Sequence, residues 1–141
     1  MKLALASIVF VGVVGCGRDQ PASKPAEATN AVQNEMRLLT EAMRDTVSAI
    51  GTGQLQAIPE RLHEVHGARE LTEQAIESGS YKLPRNAENL AAFKALDESF
   101  HAELEKLVAG ARANDAAATS AAFGAVMSRC DGCHAQFRPA K

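Results

Sequence analysis

Apolar residues recur along this chain at alternating steps of three and four, which is the period of an amphipathic α-helix. The first such stripe predicts a helix that begins with a cap at Asn30, supported by Gln33 as a capping-box partner, and ends at Gly51 and Gly53. The positions expected to face inward are Val32, Met36, Leu39, Met43, Val47 and Ile50.

Three further helices follow from the same pattern, beginning near Pro59, at Asn86 and at Ala116. The second carries Leu62, Val65, Ala68, Leu71 or Thr72, Ala75 and Ile76 inward, and ends at Ser78-Gly79. The third carries Leu90, Phe93, Leu96, Phe100, Leu104, Leu107 and Ala111, with a charged opposite face. The fourth ends near Phe137. Four amphipathic helices joined by short connections predict an all-α fold, an antiparallel four-helix bundle over residues 30–141.

The first residues do not follow the helical pattern of the domain. A basic start precedes an almost unbroken apolar run over residues 3–14, which is too short for a permanent membrane span and typical of a secretory signal. The run ends in Val-Val-Gly-Cys, so residues 1–15 are predicted to be a lipoprotein signal peptide and Cys16 the lipidated residue. An ordinary signal peptide with an unrelated cysteine is the alternative. Residues 16–29, polar and containing proline, are predicted to form a flexible tether.

Composition agrees with an exported helical domain. Hydrophobic residues make up 46% of the chain but aromatic residues only 4%, and alanine and leucine supply most of the apolar content. The net charge of −2 and the lack of a concentrated basic face exclude a nucleic-acid-binding protein. Export implies an oxidising compartment on the periplasmic side of a bacterial membrane. A free dithiol would not persist unmodified there, so the two C-terminal cysteines are expected to share a function.

The motif that carries chemistry is Cys130-Asp131-Gly132-Cys133-His134. On a helix the two cysteines lie about one turn apart and His134 comes four residues after Cys130, so all three share one face. Two thiols that add to porphyrin vinyl groups and an imidazole that ligates the iron are the requirements of covalent haem attachment. The motif therefore predicts one covalent haem c, with His134 as an iron ligand.

Other uses of this motif fit less well. A thioredoxin-like pair would follow a strand and open a helix, whereas this pair lies at the end of the last helix. A zinc site needs a fourth ligand at suitable spacing, and a structural disulfide leaves His134 unexplained.

His63 and His66 lie three residues apart beside an apolar stripe, which indicates boundary or solvent-facing roles. His101 follows Phe100 and is expected to be exposed.

The stretch from Ala121-Ala122-Phe123-Gly124 through the motif to Gln136-Phe137-Arg138 resembles the last helix of class II c-type cytochromes, the cytochrome c′ group and its low-spin, methionine-ligated relatives. The resemblance extends from about residue 30 to the C-terminus in helix order and is specific in the last helix. It implies a haem between the helices, His134 as the proximal ligand and a distal group from the first helix.

The resemblance leaves the distal group open. Counting back from the first turn places the family's distal position at Arg37, and a shift of one residue brings Met36 there as a sixth iron ligand. Met43 is the second candidate, and simple packing in the core is the alternative role of both methionines. Arg138, one turn after His134, is a candidate partner for a haem propionate, with a solvated terminal arginine as the alternative.

These residues predict a mono-haem electron carrier with His/Met ligation and no enzymatic constellation. Its expected partners are periplasmic redox proteins, with a lipid anchor at the membrane, no nucleic acid, and a homodimer as an allowed assembly. The alternative is a five-coordinate, cytochrome c′-like protein that binds small gases such as nitric oxide or carbon monoxide. The two differ in whether Met36 occupies the iron.

Overall fold

The computed structural model describes the backbone of residues 25–139 and the side chains of residues 31–139. Its helices are α1 (Pro25–Thr52), a short 3-10 helix (Leu55–Ala57), α2 (Ile58–Glu77), α3 (Leu90–Arg112) and α4 (Ala116–Phe137). The predicted signal peptide and Cys16 lie outside the described residues. Within them, no helix has an apolar stretch long enough to cross a bilayer.

The four helices form the bundle that the sequence predicts. α1 packs mainly on α2 and α3 mainly on α4, with fewer contacts between the two pairs. The short turns after α1 and α3 make each pair antiparallel, so the N-terminal part of α1 and the C-terminal end of α4 lie at the same end of the bundle. The fully buried side chains Ile58, Leu107 and Val126 form the core toward the opposite end. The predicted all-α bundle is confirmed.

Close approach between α3 and α4 depends on a glycine. A Cβ added at Gly110 would lie 3.0 Å from both the backbone nitrogen and the hydroxyl oxygen of Thr119, which is itself fully buried. Because such contacts are tighter than most in a packed core, any larger residue here would force Thr119 to move, and glycine permits the close crossing without that shift. This close contact fixes how α3 and α4 are aligned along their length.

Two helix starts differ from the sequence prediction. α1 begins at Pro25 rather than Asn30, because proline suits a first helical turn and the Ala-Glu-Ala that follows favours helix without an apolar stripe. The last five residues of the predicted tether are therefore helical. α3 begins at Leu90 rather than Asn86, because Asn86 has a φ of 50°, which a continuing right-handed helix does not permit.

α1 is also rotated from its predicted orientation. Its buried residues are Glu35, Ala42, Thr46 and Ala49. Two positions expected to face inward are instead exposed, Met36 by 39% and Val47 by 55%. Small residues allow α1 to lie close to α2, and the larger apolar side chains are displaced to the edges of this contact. On α2, where the sequence allowed either Leu71 or Thr72 to face inward, Thr72 is buried and Leu71 is exposed.

Candidate haem-attachment site

α4 presents the Cys-x-x-Cys-His motif in its last two turns. The helix begins with Asp115, whose side chain accepts a hydrogen bond from the Ala118 nitrogen at 2.9 Å. It ends at Phe137, and Arg138 is extended. This places the two cysteines and His134 on continuous helix, as the spacing predicts.

Both cysteines of the motif are free thiols, and each is partly buried. Burial raises the pKa of the Cys130 thiol. Burial also raises the pKa of the Cys133 thiol, and the negative charge of Asp97 on α3 adds to that effect. Both shifts favour the neutral thiol form of the pair.

His134 is an exposed residue in the last turn of α4. Partial burial lowers the pKa of its imidazole, the Arg138 charge lowers it further, and Asp131 opposes both. A lowered pKa favours the neutral ring, which is the form that ligates iron. The residue that the sequence predicts as the iron ligand therefore has the protonation state that this role needs.

The end of the bundle around the motif provides an apolar surface that a porphyrin would cover. The inward positions Leu90, Phe93, Leu96 and Phe100 of α3 are only half-buried, in contrast to Leu107 and Ala111 farther along the same helix. On α4, Met127 is 44% exposed. Half-buried apolar side chains beside two free thiols and a neutral imidazole fit a covalently attached haem.

The last turn of α4 is held by α3 and by the loop before it. The rings of Phe93 and Phe137 meet edge to face with centroids 5.4 Å apart. Asn86 donates a hydrogen bond from Nδ2 to the Gln136 carbonyl at 2.7 Å, and Arg85 donates from Nη1 to the Ala135 carbonyl at 3.4 Å. These contacts fix the orientation of the turn that carries His134.

The structure separates the two candidate distal methionines. Met43 packs against the hydrophobic core, whereas Met36 does not belong to it. Met36 lies in the N-terminal part of α1, at the end of the bundle where α4 carries the motif. Met36 remains the α1 candidate for the distal side.

A partly buried polar cluster that the sequence did not reveal lies near the same end of the bundle. Its members come from α1, α2 and α3: Glu35, Arg69, Thr72, Asp97 and His101. Arg69 Nη2 lies 3.1 Å from Asp97 Oδ2 and 2.8 Å from Glu73 Oε1. His101 Nε2 lies 3.4 Å from Asp97 Oδ1, a polar contact longer than a well-formed hydrogen bond.

Burial raises the pKa of the Glu35 carboxyl, which is only 4% exposed, although the Thr72 hydroxyl beside it acts in the opposite direction.

The expectation that His101 is exposed is wrong, because its side chain is 18% exposed and faces Asp97. The spacings of Arg69 to Glu73 and Asp97 to His101, each four residues on one helix, were the signal available in the sequence.

The remaining candidates lie on the surface. His63 and His66 are exposed on α2, in agreement with the sequence interpretation. Across residues 31–139, no group of three or more His, Cys, Asp or Glu side chains is arranged to hold a metal ion. Arg138 is exposed, and its charge lowers the pKa of His134. The contact of Arg138 with a haem propionate stays a prediction.

Comparisons with known proteins agree with this site. The sequence profile described as "Cytochrome C'" matches residues 27–138. Among curated protein sequences, none matches this chain significantly.

Solved structures give the same relationship. A nitric oxide complex of a variant of cytochrome c prime from Alcaligenes xylosoxidans has a TM-score of 0.72 and 25% identity, covering 85% of this chain and 99% of that one. A nitrosyl complex of another variant from the same organism has a TM-score of 0.71 and 26% identity, covering 84% and 99%. Cytochrome c' from Rubrivivax gelatinosus has a TM-score of 0.68 and 25% identity, covering 82% and 98%.

The profile spans nearly the whole described domain, and the thiol pair, the imidazole and the apolar end of the bundle fit the group that this family carries. The chain therefore belongs to the cytochrome c′ family and binds one covalently attached c-type haem.

Proposed function

We propose that this protein binds small diatomic gases, with nitric oxide and carbon monoxide as the test ligands, at the iron of its haem. The observation that carries the proposal is the match of the whole helical domain to cytochromes c prime whose structures were determined as nitric oxide complexes. This supports ligand binding over the electron-carrier interpretation. We assign the protein a binding role rather than an enzymatic one.

The site residues take their roles from the geometry of α4. Cys130 and Cys133 would form thioethers with the two vinyl groups, and His134 would hold the iron from the same side. The contacts of Phe137, Asn86 and Arg85 would keep the His134 turn from moving when the distal side changes its ligand. Once held by these residues, haem c would supply an iron that can accept a diatomic ligand.

The distal side would be formed by α1. Glu35 is directed into the bundle, while the Met36 thioether stands outside the hydrophobic core at the end of the bundle that carries the motif. Because it is not committed to packing in the core, this side chain would be free to lie over a haem bound at this end of the bundle. Arg138 is proposed to pair with a haem propionate at the exposed end of α4.

A second candidate function rests on the same methionine. Because Met36 is not held by the core, its sulfur could occupy the sixth iron position permanently, and the protein would then be a His/Met electron carrier. Its redox partners would be other periplasmic proteins. The two functions differ in a single bond, between iron and the Met36 sulfur.

The absorption spectrum of the reduced holoprotein separates these functions. Gas binding predicts a high-spin spectrum whose Soret band shifts on addition of carbon monoxide or nitric oxide. A sharp low-spin spectrum that carbon monoxide leaves unchanged would contradict the proposal and support the carrier. In that case Met36→Leu should restore the carbon monoxide response, whereas Met43→Leu, a matched change in the core, should not.

Members of this family are periplasmic, which supports a periplasmic location for this protein. We propose that the protein is exported by residues 1–15 and held at a membrane by lipid on Cys16, with assembly as a homodimer an additional property that the family supports. Fractionation tests the anchor: wild-type protein should partition with membranes, and Cys16→Ser should not. Equal membrane retention of both would exclude lipidation at Cys16.

A further inference from the structure

The side chain of Asp97 occupies an unusual position for a carboxylate. It projects from α3 into the polar cluster and is 27% exposed, between the Arg69 guanidinium at 3.1 Å and the His101 imidazole at 3.4 Å. Across the bundle it also acts on the buried Glu35. A partly buried charge in such a place affects its surroundings far more than a surface charge does.

Asp97 is ionised at neutral pH. Burial by itself would raise the pKa of this carboxyl, but the His101 and Arg69 side chains outweigh burial and hold the pKa below its usual value. The cluster therefore keeps a fixed negative charge inside the bundle. Arg69 compensates that charge only in part, because its Nη2 is shared with Glu73.

The charge of Asp97 reaches the haem-attachment motif. Phe93 and Phe137 are in contact and α3 and α4 are antiparallel, so Asp97, one turn after Phe93, lies at the same level of the bundle as Cys133, one turn before Phe137. Cys133 lies on α4, and the charge acts across the contact between α3 and α4 through partly buried protein rather than through bulk water. A haem joined to this sulfur would therefore lie in the same field.

We propose that Asp97 lowers the reduction potential of the haem attached at Cys133, and that Arg69 limits this effect. Reduction adds one electron to the iron, from Fe(III) to Fe(II), and no bond is made or broken in the protein. The step removes one positive charge from the centre, so a nearby negative charge favours the ferric form and a nearby positive charge the ferrous form. Asp97 and Arg69 thus act in opposite directions.

The inference requires only haem attachment and is independent of the gas-binding proposal. It holds whether or not the sixth iron position carries a protein ligand. Its consequence for a gas-binding protein is that Asp97 sets how much ferrous iron is present at a given ambient potential. Failure of the carbon monoxide test leaves this inference intact, and the reverse is equally true.

Potentiometric titration of the purified holoprotein, followed by absorbance with redox mediators, measures the effect. We expect Asp97→Asn to raise the potential by the equivalent of about a tenfold change in the ferrous-to-ferric ratio, which is about 59 mV for a one-electron couple. Asp97→Glu keeps the charge and should remain within about twofold of wild type. Glu98→Gln removes an exposed charge from the neighbouring position on α3 and serves as the matched control.

The direction in which Arg69→Gln changes the reduction potential distinguishes a charge effect from a general loss of structure. If the cluster acts by charge, this variant lowers the potential while Asp97→Asn raises it. If the substitutions only loosen the bundle, both potentials move in the same direction, and the proposal is overturned. An Asp97→Asn potential equal to that of Glu98→Gln overturns it as well. Should Asp97→Asn fail to retain haem, the Arg69→Gln result decides: a lower potential supports the proposal, and an unchanged or higher one refutes it.

Discussion

The ring of Phe93 at the start of α3 meets the ring of Phe137 at the end of α4 edge to face, with centroids 5.4 Å apart. Phe137 is 4% exposed, so this pair closes the end of the bundle that carries the haem-attachment motif. Phe137 comes three positions after His134, which places the aromatic contact about one turn from the predicted iron ligand. The stability of this contact and the orientation of the imidazole are therefore linked.

Replacing Phe137 with alanine should destabilise the protein by about 3 kcal/mol, since it removes a large buried ring and leaves a cavity. Denaturant unfolding of the holoprotein, monitored by far-UV circular dichroism, measures this. Val47→Ala on the exposed side of α1 is the control and should change the free energy of unfolding by less than about 0.5 kcal/mol. Equal effects of the two substitutions would show that Phe137 does not close the bundle end.

Gly110→Ala should destabilise the protein by about 1–3 kcal/mol, because the added Cβ meets the Thr119 backbone nitrogen at 3.0 Å. Gly67→Ala is the matched control. It also lies inside a helix, with no atom within 4 Å of the added Cβ, and should stabilise by about 0.5–1 kcal/mol. The comparison uses thermal unfolding of both variants. A stabilising Gly110→Ala would mean that α3 and α4 do not approach closely at this crossing.

Glu35 makes stability depend on pH. Its folded-state pKa is raised above the ordinary value of 4.5, so the folded protein holds this proton more tightly than the unfolded chain. Stability associated with the protonated carboxyl is complete below that value and declines as pH rises toward the folded-state pKa. We expect Glu35→Gln to match wild type near pH 4 and to exceed it in free energy of unfolding at pH 7.

Glu41→Gln is the control for that comparison, because Glu41 lies on the same helix but is exposed and paired with Arg37 at 2.8 Å. Denaturant unfolding of the three proteins at several pH values gives the difference curves. A Glu35→Gln curve parallel to wild type over this range would be inconsistent with a raised Glu35 pKa.

Covalent haem should depend on the two cysteines of α4 together. Replacing both Cys130 and Cys133 with serine should abolish haem that remains bound after denaturation, since no thioether can then form. Cys16→Ser keeps both thiols of the motif and should retain haem. Haem staining of denaturing gels measures both variants. Covalent haem in the double variant would place the attachment elsewhere in the chain.

The sequence by itself determined the helices and the chemistry of the motif. The spacing of Cys130, Cys133 and His134 depends only on local helix geometry, and the three- and four-residue period of α3 predicted its inward residues because one face of that helix is uniformly apolar. The start of α1 was placed five residues too late, and the first turn of α3 was placed wrongly, because the left-handed Asn86 lies in a loop that contacts α4.

Tertiary structure decided what α1 buries and where charge enters the bundle. The apolar stripe of α1 predicted Met36 and Val47 inside, but close packing against α2 selected the small and polar neighbours Glu35 and Thr46 instead. The contact of Asp97 with Arg69 joins residues 28 positions apart on different helices, so no periodicity within one helix could predict it. The sequence specified the attachment motif, and the packing of the helices around α4 specified which charged side chains lie near that motif.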